Sequence, residues 1–168
     1  MGCITETSAT DFRFPPARRL RIIVGVTATP FRHVHRVSYA ECTIGNHIYY
    51  SRYLDLLETA RGEFFRALGE TLQSLQNQDA IFPVIEASLR YKSPARYDEV
   101  LEIEVRPTVA ERIRLDFSYR IVRPADGRLI LEAETRHVCT TVGEKPRRLP
   151  GGLAARLQPL LPTPAVAP

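Results

Sequence analysis

Residues 37–61 read VSYAECTIGNHIYYSRYLDLLETAR, and the fold is built outward from this stretch. It begins as a strand-like run, turns at Gly45-Asn46 and continues into a helix that is expected to stop at Gly69. Apolar residues in the helix recur close to the i, i+3, i+4, i+7 spacing of one buried face: Tyr53, Leu56, Leu57, Ala60, Phe64, Phe65 and Leu68. The pattern predicts one long helix packed against a sheet.

The rest of the chain predicts mainly strands. Residues 71–77 favour a short helical turn after the long helix. Strand-like runs of alternating or β-branched residues cover residues 33–41, 83–91, 99–107, 112–123 and 129–141. One strand, one helix and four strands in this order predict an α+β fold with an antiparallel sheet on one face of the helix. Its edge strands need cover, which predicts a homodimer or homotetramer.

The chain of 168 residues fits one folded domain with extensions at both ends. Residues 1–32 carry little periodicity and are expected to form an arm, with a short extra strand within residues 19–27. The domain covers residues 33–150. Residues 151–168 are expected to form a short helix over 153–161 and a Pro-rich tail.

Composition excludes several function classes. The 23 basic and 19 acidic residues give a net charge of +4, and the arginines are scattered, which argues against nucleic-acid binding. No apolar run reaches about 18 residues, so no membrane span is expected. The start of the chain lacks the apolar core of a signal peptide, and we therefore expect a cytoplasmic protein.

Neither the cysteines nor the histidines show the spacing of a metal site. The three cysteines are far apart with no C-x-x-C, and His33 and His35 share a strand face without a third ligand. P-loop, G-x-G-x-x-G and G-x-S-x-G motifs are absent. No metal and no bound cofactor is expected.

Three motifs in order resemble the hotdog-fold 4-hydroxybenzoyl-CoA thioesterase family. The first is YAECTIGNHIYYSRYL at residues 39–54, followed by ETAR at 58–61. The second is FPVIEASLRYKSPARYDE at 82–99, and the third combines TRHVC at 135–139 with RRLP at 147–150. The resemblance implies a hotdog fold, in which an antiparallel sheet wraps one long helix. It also implies a dimer or tetramer that hydrolyses an acyl thioester of coenzyme A or of an acyl carrier protein.

One position departs from the family. The catalytic Asp of the motif falls on Thr43, whose hydroxyl is a poor nucleophile or base unaided. The thioesterases of enediyne polyketide pathways also lack this acid, and their active-site Arg aligns with Arg61. Their Gly-Asn pair is similar to Gly45-Asn46, one place earlier in an ungapped comparison. The resemblance therefore points to an acid-free subgroup that acts on polyketide or long acyl chains.

The resemblance assigns roles to a small set of residues. The Tyr50 amide at the start of the helix is the expected oxyanion donor. Arg61 would add positive charge at the thioester carbonyl, Thr43 and Asn46 would orient water, and Glu58 is the candidate base. The remaining candidates are expected to contact substrate: His47, Tyr49, Arg147 and Arg148.

Each assignment has an alternative. Glu58 and Arg61 could form only a surface ion pair, since they are three residues apart on a helix. Thr43 could be a capping hydroxyl, and His137 a structural histidine with no partner evident in the sequence. A non-catalytic acyl-binding or assembly protein on the same fold is the main rival function. A hotdog dehydratase is less favoured, because His47 and Glu58 are poor substitutes for its catalytic pair.

Overall fold

The computed structural model describes residues 29–162. The strands are β1 Phe31–Arg36, β2 Cys42–Thr43, β3 His47–Ile48, β4 Val84–Tyr91, β5 Val100–Glu111, β6 Arg114–Arg123 and β7 Arg128–Val138. The helices are α1 Arg52–Ala67, α2 Leu72–Asn77 and α3 Gly151–Leu157. This is the predicted α+β architecture, with one long helix and a sheet made mostly from the second half of the chain.

The main sheet has five antiparallel strands in the order β1-β5-β6-β7-β4. The three long strands β5, β6 and β7 occupy its centre, and β1 and β4 are its edges. Strands β2 and β3 form a separate two-stranded hairpin ahead of α1. The chain therefore brings the predicted turn at residues 45–46 to the entrance of the long helix.

Helix α1 packs its apolar side on the inner face of the sheet. Six of the seven apolar residues in the predicted stripe are buried, from Tyr53 to Phe65, and Leu68 is partly buried against them. Phe64 and Phe65 meet Phe117 of β6 edge-to-face, with ring centroids 5.6 Å and 6.0 Å apart. This aromatic contact anchors the C-terminal half of α1 at the middle of the sheet.

Glycine ends the helix at the predicted place. Gly69 has φ +77°, and the Glu70 amide donates to the Phe65 carbonyl at 3.0 Å. A left-handed residue with such a bond is a common helix terminator, and glycine adopts it without a Cβ clash. Helix α2 then starts with a capping box between Thr71 and Ser74.

The predicted strand boundaries were most wrong in two places, and β7 also ends three residues before the predicted residue 141. Residues 33–41 do not form one strand, since β1 stops at Arg36 and a 3₁₀ turn covers Tyr39–Glu41. The Glu41 carboxylate accepts from the Ser38 amide at 2.7 Å, and this cap makes the turn locally stable. Strand β5 runs four residues beyond Pro107, because Arg112 at φ +49° places the hairpin later than expected. The predicted strand within residues 19–27 lies outside the described residues.

The C-terminal helix closes one end of the core. Leu153 and Leu157 of α3 are buried, and a 3₁₀ turn at Gln158–Leu160 follows. Arg156 forms an ion pair with Glu70, which ties α3 to the segment between α1 and α2. The short helix predicted at 153–161 is present, but it begins two residues earlier, at Gly151, and ends at Leu157.

The described residues contain neither a membrane-spanning helix nor a metal-binding cluster. Between residues 29 and 162, no helix is both long and apolar enough to cross a membrane. In the same part of the chain, no group of three or more His, Cys, Asp or Glu side chains could hold a metal ion.

Candidate active site

The β2–β3 hairpin presents Thr43 and His47 side by side. The two residues are direct cross-strand partners, and Gly45 and Asn46 make the turn between them with φ +97° and +55°. The Asn46 side-chain oxygen accepts from the Tyr97 amide at 3.2 Å. Asn46 therefore fastens the hairpin to the loop before β5.

A surface groove of about 630 Å³ runs along this hairpin. It contains four of the residues singled out in the sequence, Thr43, His47, Tyr49 and Tyr50. Its other lining residues come from the hairpin, the start of α1 and the end of β4: Ile44, Ile48, Tyr53, Tyr91, Lys92, Ser93 and Pro94. A volume of this size suits a small-molecule ligand.

Tyr50 lies at the edge of this groove, and its backbone carbonyl and N–H differ in their hydrogen bonding. Its carbonyl accepts from the Tyr91 hydroxyl at 2.9 Å. No acceptor for the Tyr50 N–H occurs among residues 29–162, whereas the Tyr49 amide donates to the Glu41 carbonyl at 2.9 Å. The free N–H lies just before the N-terminus of α1, where the helix dipole favours negative charge.

Tyrosines form the wall of the groove. Tyr53 and Tyr91 meet edge-to-face with ring centroids 5.5 Å apart, and Tyr49 and Tyr50 lie 4.6 Å apart. Burial raises the pKa of Tyr53 to about 12, and burial also raises the pKa of Tyr91. Both hydroxyls therefore stay protonated at neutral pH and can act as hydrogen-bond donors.

Arg61 lies half-buried on α1 without an acidic partner. Its Nη1 donates to the Tyr119 hydroxyl at 3.4 Å. No ion pair joins it to Glu58 or to any other carboxylate of residues 29–162. Most of its N–H groups are therefore unused within the described part of the chain. The surface ion pair considered as its alternative role does not form.

Glu58 faces a different region. It lines a shallow depression of about 440 Å³ on the outer side of α1, together with Asp55, Glu63 and Arg66. Neither Glu58 nor Arg61 is among the residues of the groove around Thr43. From Tyr53, which lines the groove, the eight-residue step along α1 to Arg61 spans about 12 Å. One chain alone therefore does not bring these candidates together.

The two arginines near the end of the domain differ in their surroundings. Arg147 donates from Nη1 to the carbonyls of Gln78 and Asp79, at 2.6 Å and 2.7 Å. It thus satisfies carbonyl groups at the end of α2. Arg148 is exposed, and its side chain has no hydrogen bond or ion pair within residues 29–162. Arg148 is the freer of the two to meet a substrate phosphate.

His137 is a buried histidine with two partners, although the sequence indicated none. Its Nδ1 lies 3.1 Å from the Phe82 carbonyl and its Nε2 lies 2.9 Å from the Thr135 hydroxyl. Burial lowers its pKa to about 4, with a further contribution from the Arg61 charge. The ring is therefore neutral at pH 7.

Sequence reasoning missed Tyr91 and Tyr119 as neighbours of the site. The sequence did indicate buried polar side chains, because Thr135 and His137 continue the face of β7 that holds Leu131 and Ala133. All four side chains are buried. Two polar residues on the buried face of a strand call for buried partners, and the sequence does not name them.

Comparisons with known proteins identify the family of the chain. The sequence model of the Thioesterase-like superfamily matches residues 37–157. The acyl-CoA thioester hydrolase YbgC of Escherichia coli O6:H1 is 34% identical over 134 residues, which cover 79% of this chain and 99% of that protein.

Among solved structures, the 1,4-dihydroxy-2-naphthoyl-CoA thioesterase Slr0204 from Synechocystis superposes with a TM-score of 0.72 at 22% identity. The match covers 77% of this chain and 96% of Slr0204. The dynemicin thioesterase superposes with a TM-score of 0.73 at 16% identity, covering 79% of this chain and 98% of that chain.

These matches refine the expected relationship. The likeness to the dynemicin thioesterase is one of fold alone, and the enediyne branch is a distant structural neighbour rather than the nearest group. The sequence relatives include YbgC proteins and, at lower identity, 1,4-dihydroxy-2-naphthoyl-CoA hydrolases. The chain belongs to the Thioesterase-like superfamily and is a thioester hydrolase on the hotdog fold.

Proposed function

We propose that the protein hydrolyses an acyl-CoA thioester by direct attack of water, without a carboxylate at position 43. Water adds to the thioester carbonyl, the oxyanion collapses, and the C–S bond breaks to release an acid and a free thiol. The E. coli relative is named as an acyl-CoA thioester hydrolase, which supports coenzyme A as the carrier. Such a reaction belongs in the cytoplasm, where we expect the protein to act.

The observation that carries this proposal is the half-buried Arg61 without an acidic partner. Partly burying a cation costs free energy unless its charge and N–H groups are satisfied. The only protein acceptor on Arg61 within residues 29–162 is the neutral Tyr119 hydroxyl. A thioester oxygen that becomes negative in the transition state would supply the missing partner.

The Tyr50 N–H is the second proposed oxyanion donor. The Tyr49–Tyr50 peptide that carries it is fixed by the Arg52 amide, which donates to the Tyr49 carbonyl at 2.9 Å, and the N–H itself is unused among the described residues. Thr43 and His47 face the same groove and would position the attacking water and the acyl chain. Asn46 supports the hairpin, and Glu58 stays a predicted base.

We also propose that the working unit is a homodimer paired through β4. This strand is an edge of the sheet, and its Val84 and Ile85 side chains are 48% and 64% exposed. An exposed apolar edge readily pairs with another strand. A two-fold axis would pair β4 with its copy antiparallel, which sets the Tyr91 end of one chain beside the Val84 end of the other.

This pairing offers a way to unite the separated groups. His137 is the β7 partner of Val84, and Arg61 is close enough to His137 to lower its pKa. The Val84 end of β4 is thus the Arg61 end of the molecule, whereas the Tyr91 end carries the groove. Antiparallel pairing would place Arg61 of one copy beside the groove of the other.

The test is thiol release from a panel of aryl, short, medium and long acyl-CoA substrates. Arg61→Ala should lower kcat/KM by a factor on the order of 100, as expected when one oxyanion-stabilising group is lost. Arg66→Ala is the matched control, because Arg66 lies on the same helix and pairs with Glu63 at the surface. It should leave the rate within about twofold of wild type, as expected for an exposed ion pair.

The other outcomes separate the rival functions. Release from acyl carrier protein thioesters alone would move the carrier from coenzyme A to protein and favour a polyketide or fatty-acyl pathway. No release from either carrier, together with measurable binding of an acyl-CoA, would replace the enzyme by the acyl-binding protein. An unchanged rate in Arg61→Ala would remove Arg61 from the site.

A further inference from the structure

A continuous line of polar side chains crosses the apolar core between α1 and the sheet. Arg61 Nη1 lies 3.4 Å from the Tyr119 hydroxyl, which lies 3.2 Å from the Thr135 hydroxyl. The Thr135 hydroxyl lies 2.9 Å from His137 Nε2, and His137 Nδ1 lies 3.1 Å from the Phe82 carbonyl. Tyr119, Thr135 and His137 are all buried.

The donors along this line point in directions that the chemistry fixes. The Phe82 carbonyl can only accept, so His137 Nδ1 carries the proton. The ring is neutral, and its Nε2 therefore offers a lone pair to the Thr135 hydroxyl. Thr135 donates to that lone pair, Tyr119 donates to Thr135, and a lone pair of the Tyr119 oxygen is left to face Arg61.

Strand geometry holds the line in place. Thr135 and His137 are two residues apart on β7 and thus share one face. Tyr119 of β6 is the cross-strand partner of Ala133, which lies on that same face of β7. Phe117 packs edge-to-face on the His137 ring with centroids 5.7 Å apart. The imidazole is thus fixed by a ring contact as well as by hydrogen bonds.

We infer that Tyr119, Thr135 and His137 are positioning residues that hold the Arg61 guanidinium where the thioester oxygen develops charge. The inference rests on the proposed role of Arg61. A buried polar line contributes little net stability compared with apolar side chains of the same shape. One end of this line is fixed backbone and the other is Arg61, the cation without an acidic partner. Since the line contains no carboxylate, it orients Arg61 and leaves its positive charge available to the substrate.

The experiment breaks the line at two different links. Tyr119→Phe removes the hydroxyl that Arg61 contacts, and Thr135→Val removes the next one with little change of shape. Each should lower kcat about 10-fold, the effect of one lost hydrogen bond, with KM within about twofold. Thr135→Ser keeps the hydroxyl and should restore kcat. Tyr39→Phe, on the exposed surface, is the control and should match wild type.

A second measurement separates orientation from general loss of packing. Added guanidinium, below denaturing concentration, should restore part of the activity of Arg61→Ala. It should restore much less in Arg61→Ala combined with Tyr119→Phe, because the added ion then lacks its acceptor.

The outcomes distinguish this inference from the function on which it rests. Loss of activity in Arg61→Ala with unchanged kcat in both Tyr119→Phe and Thr135→Val overturns the positioning role and leaves the function standing. Equal loss in Thr135→Val and Thr135→Ser also overturns it, because the hydroxyl would then be irrelevant. An Arg61→Ala variant with wild-type activity overturns the positioning role and removes Arg61 from the site, whereas the function fails only if no substrate releases thiol.

Discussion

At the scale of single residues, our prediction for the chemistry of the groove concerns position 43. The resemblance predicts that the catalytic Asp of the motif falls on Thr43, and Thr43 lies in the groove opposite its cross-strand partner His47. The nearest acidic residue in sequence, Glu41, cannot replace that Asp freely, because its carboxylate caps the Ser38 amide and lies 2.9 Å from His35 Nε2. Glu41 is thus already engaged, and the groove has a hydroxyl at position 43.

Restoring the acid should accelerate the reaction. We expect Thr43→Asp to raise kcat by roughly 100-fold, within the usual contribution of a positioned general base. Thr43→Asn matches the new side chain in size without its basicity and should stay near the wild-type rate. The measurement is steady-state thiol release from the best acyl-CoA. If the two variants are equally fast, position 43 does not contact the attacking water.

At the scale of elements, the exposed edge of β4 allows a direct test of the proposed homodimer. Ile85→Lys should prevent edge pairing, since an edge lysine is a common barrier to strand addition. We expect this variant to sediment near the 19.0 kDa of one chain and to lose most of its activity, because the site would need two copies. Wild type should sediment at twice that mass, and at four times if dimers pair further.

Val142→Lys is the matched control for this variant. Val142 is an apolar side chain of similar exposure, 51%, in the loop after β7. It should keep both the assembly and the rate. A monomeric Ile85→Lys with full activity would contradict a site shared between two copies.

At the scale of the whole molecule, local patterns account for most of what the sequence predicts. The period of α1 and the alternation along β5, β6 and β7 are set by neighbours in the chain, and the structure confirms them. The predicted extent of the first strand was wrong because the Ser38–Glu41 cap competes with extended backbone. Residue alternation does not reveal this side-chain effect.

The same distinction between local and tertiary contacts applies to the candidate site. Thr43, His47, Tyr49 and Tyr50 are close in sequence, and they do share one groove. Arg61 and Tyr119 are 58 residues apart, and their contact depends on how α1 sits on β6. Arg147 was expected to face substrate, yet it binds carbonyls at the end of α2, a partner that only the tertiary fold supplies.

The neutral state of His137 makes the protein sensitive to acid. Its pKa of about 4 lies below the 6.5 of an unfolded histidine, so between these values the unfolded chain binds more protons than the folded one. The contribution of neutral His137 to the free energy of unfolding should therefore be fully present above pH 6.5 and decrease as the pH drops toward 4. Between pH 7 and pH 4.5, urea unfolding should show that wild type loses about 2 kcal/mol more free energy of unfolding than His137→Gln, because the glutamine cannot titrate. An equal loss would mean that His137 is not held neutral, whereas the expected difference would give this fold a lower limit of working pH set by one ring.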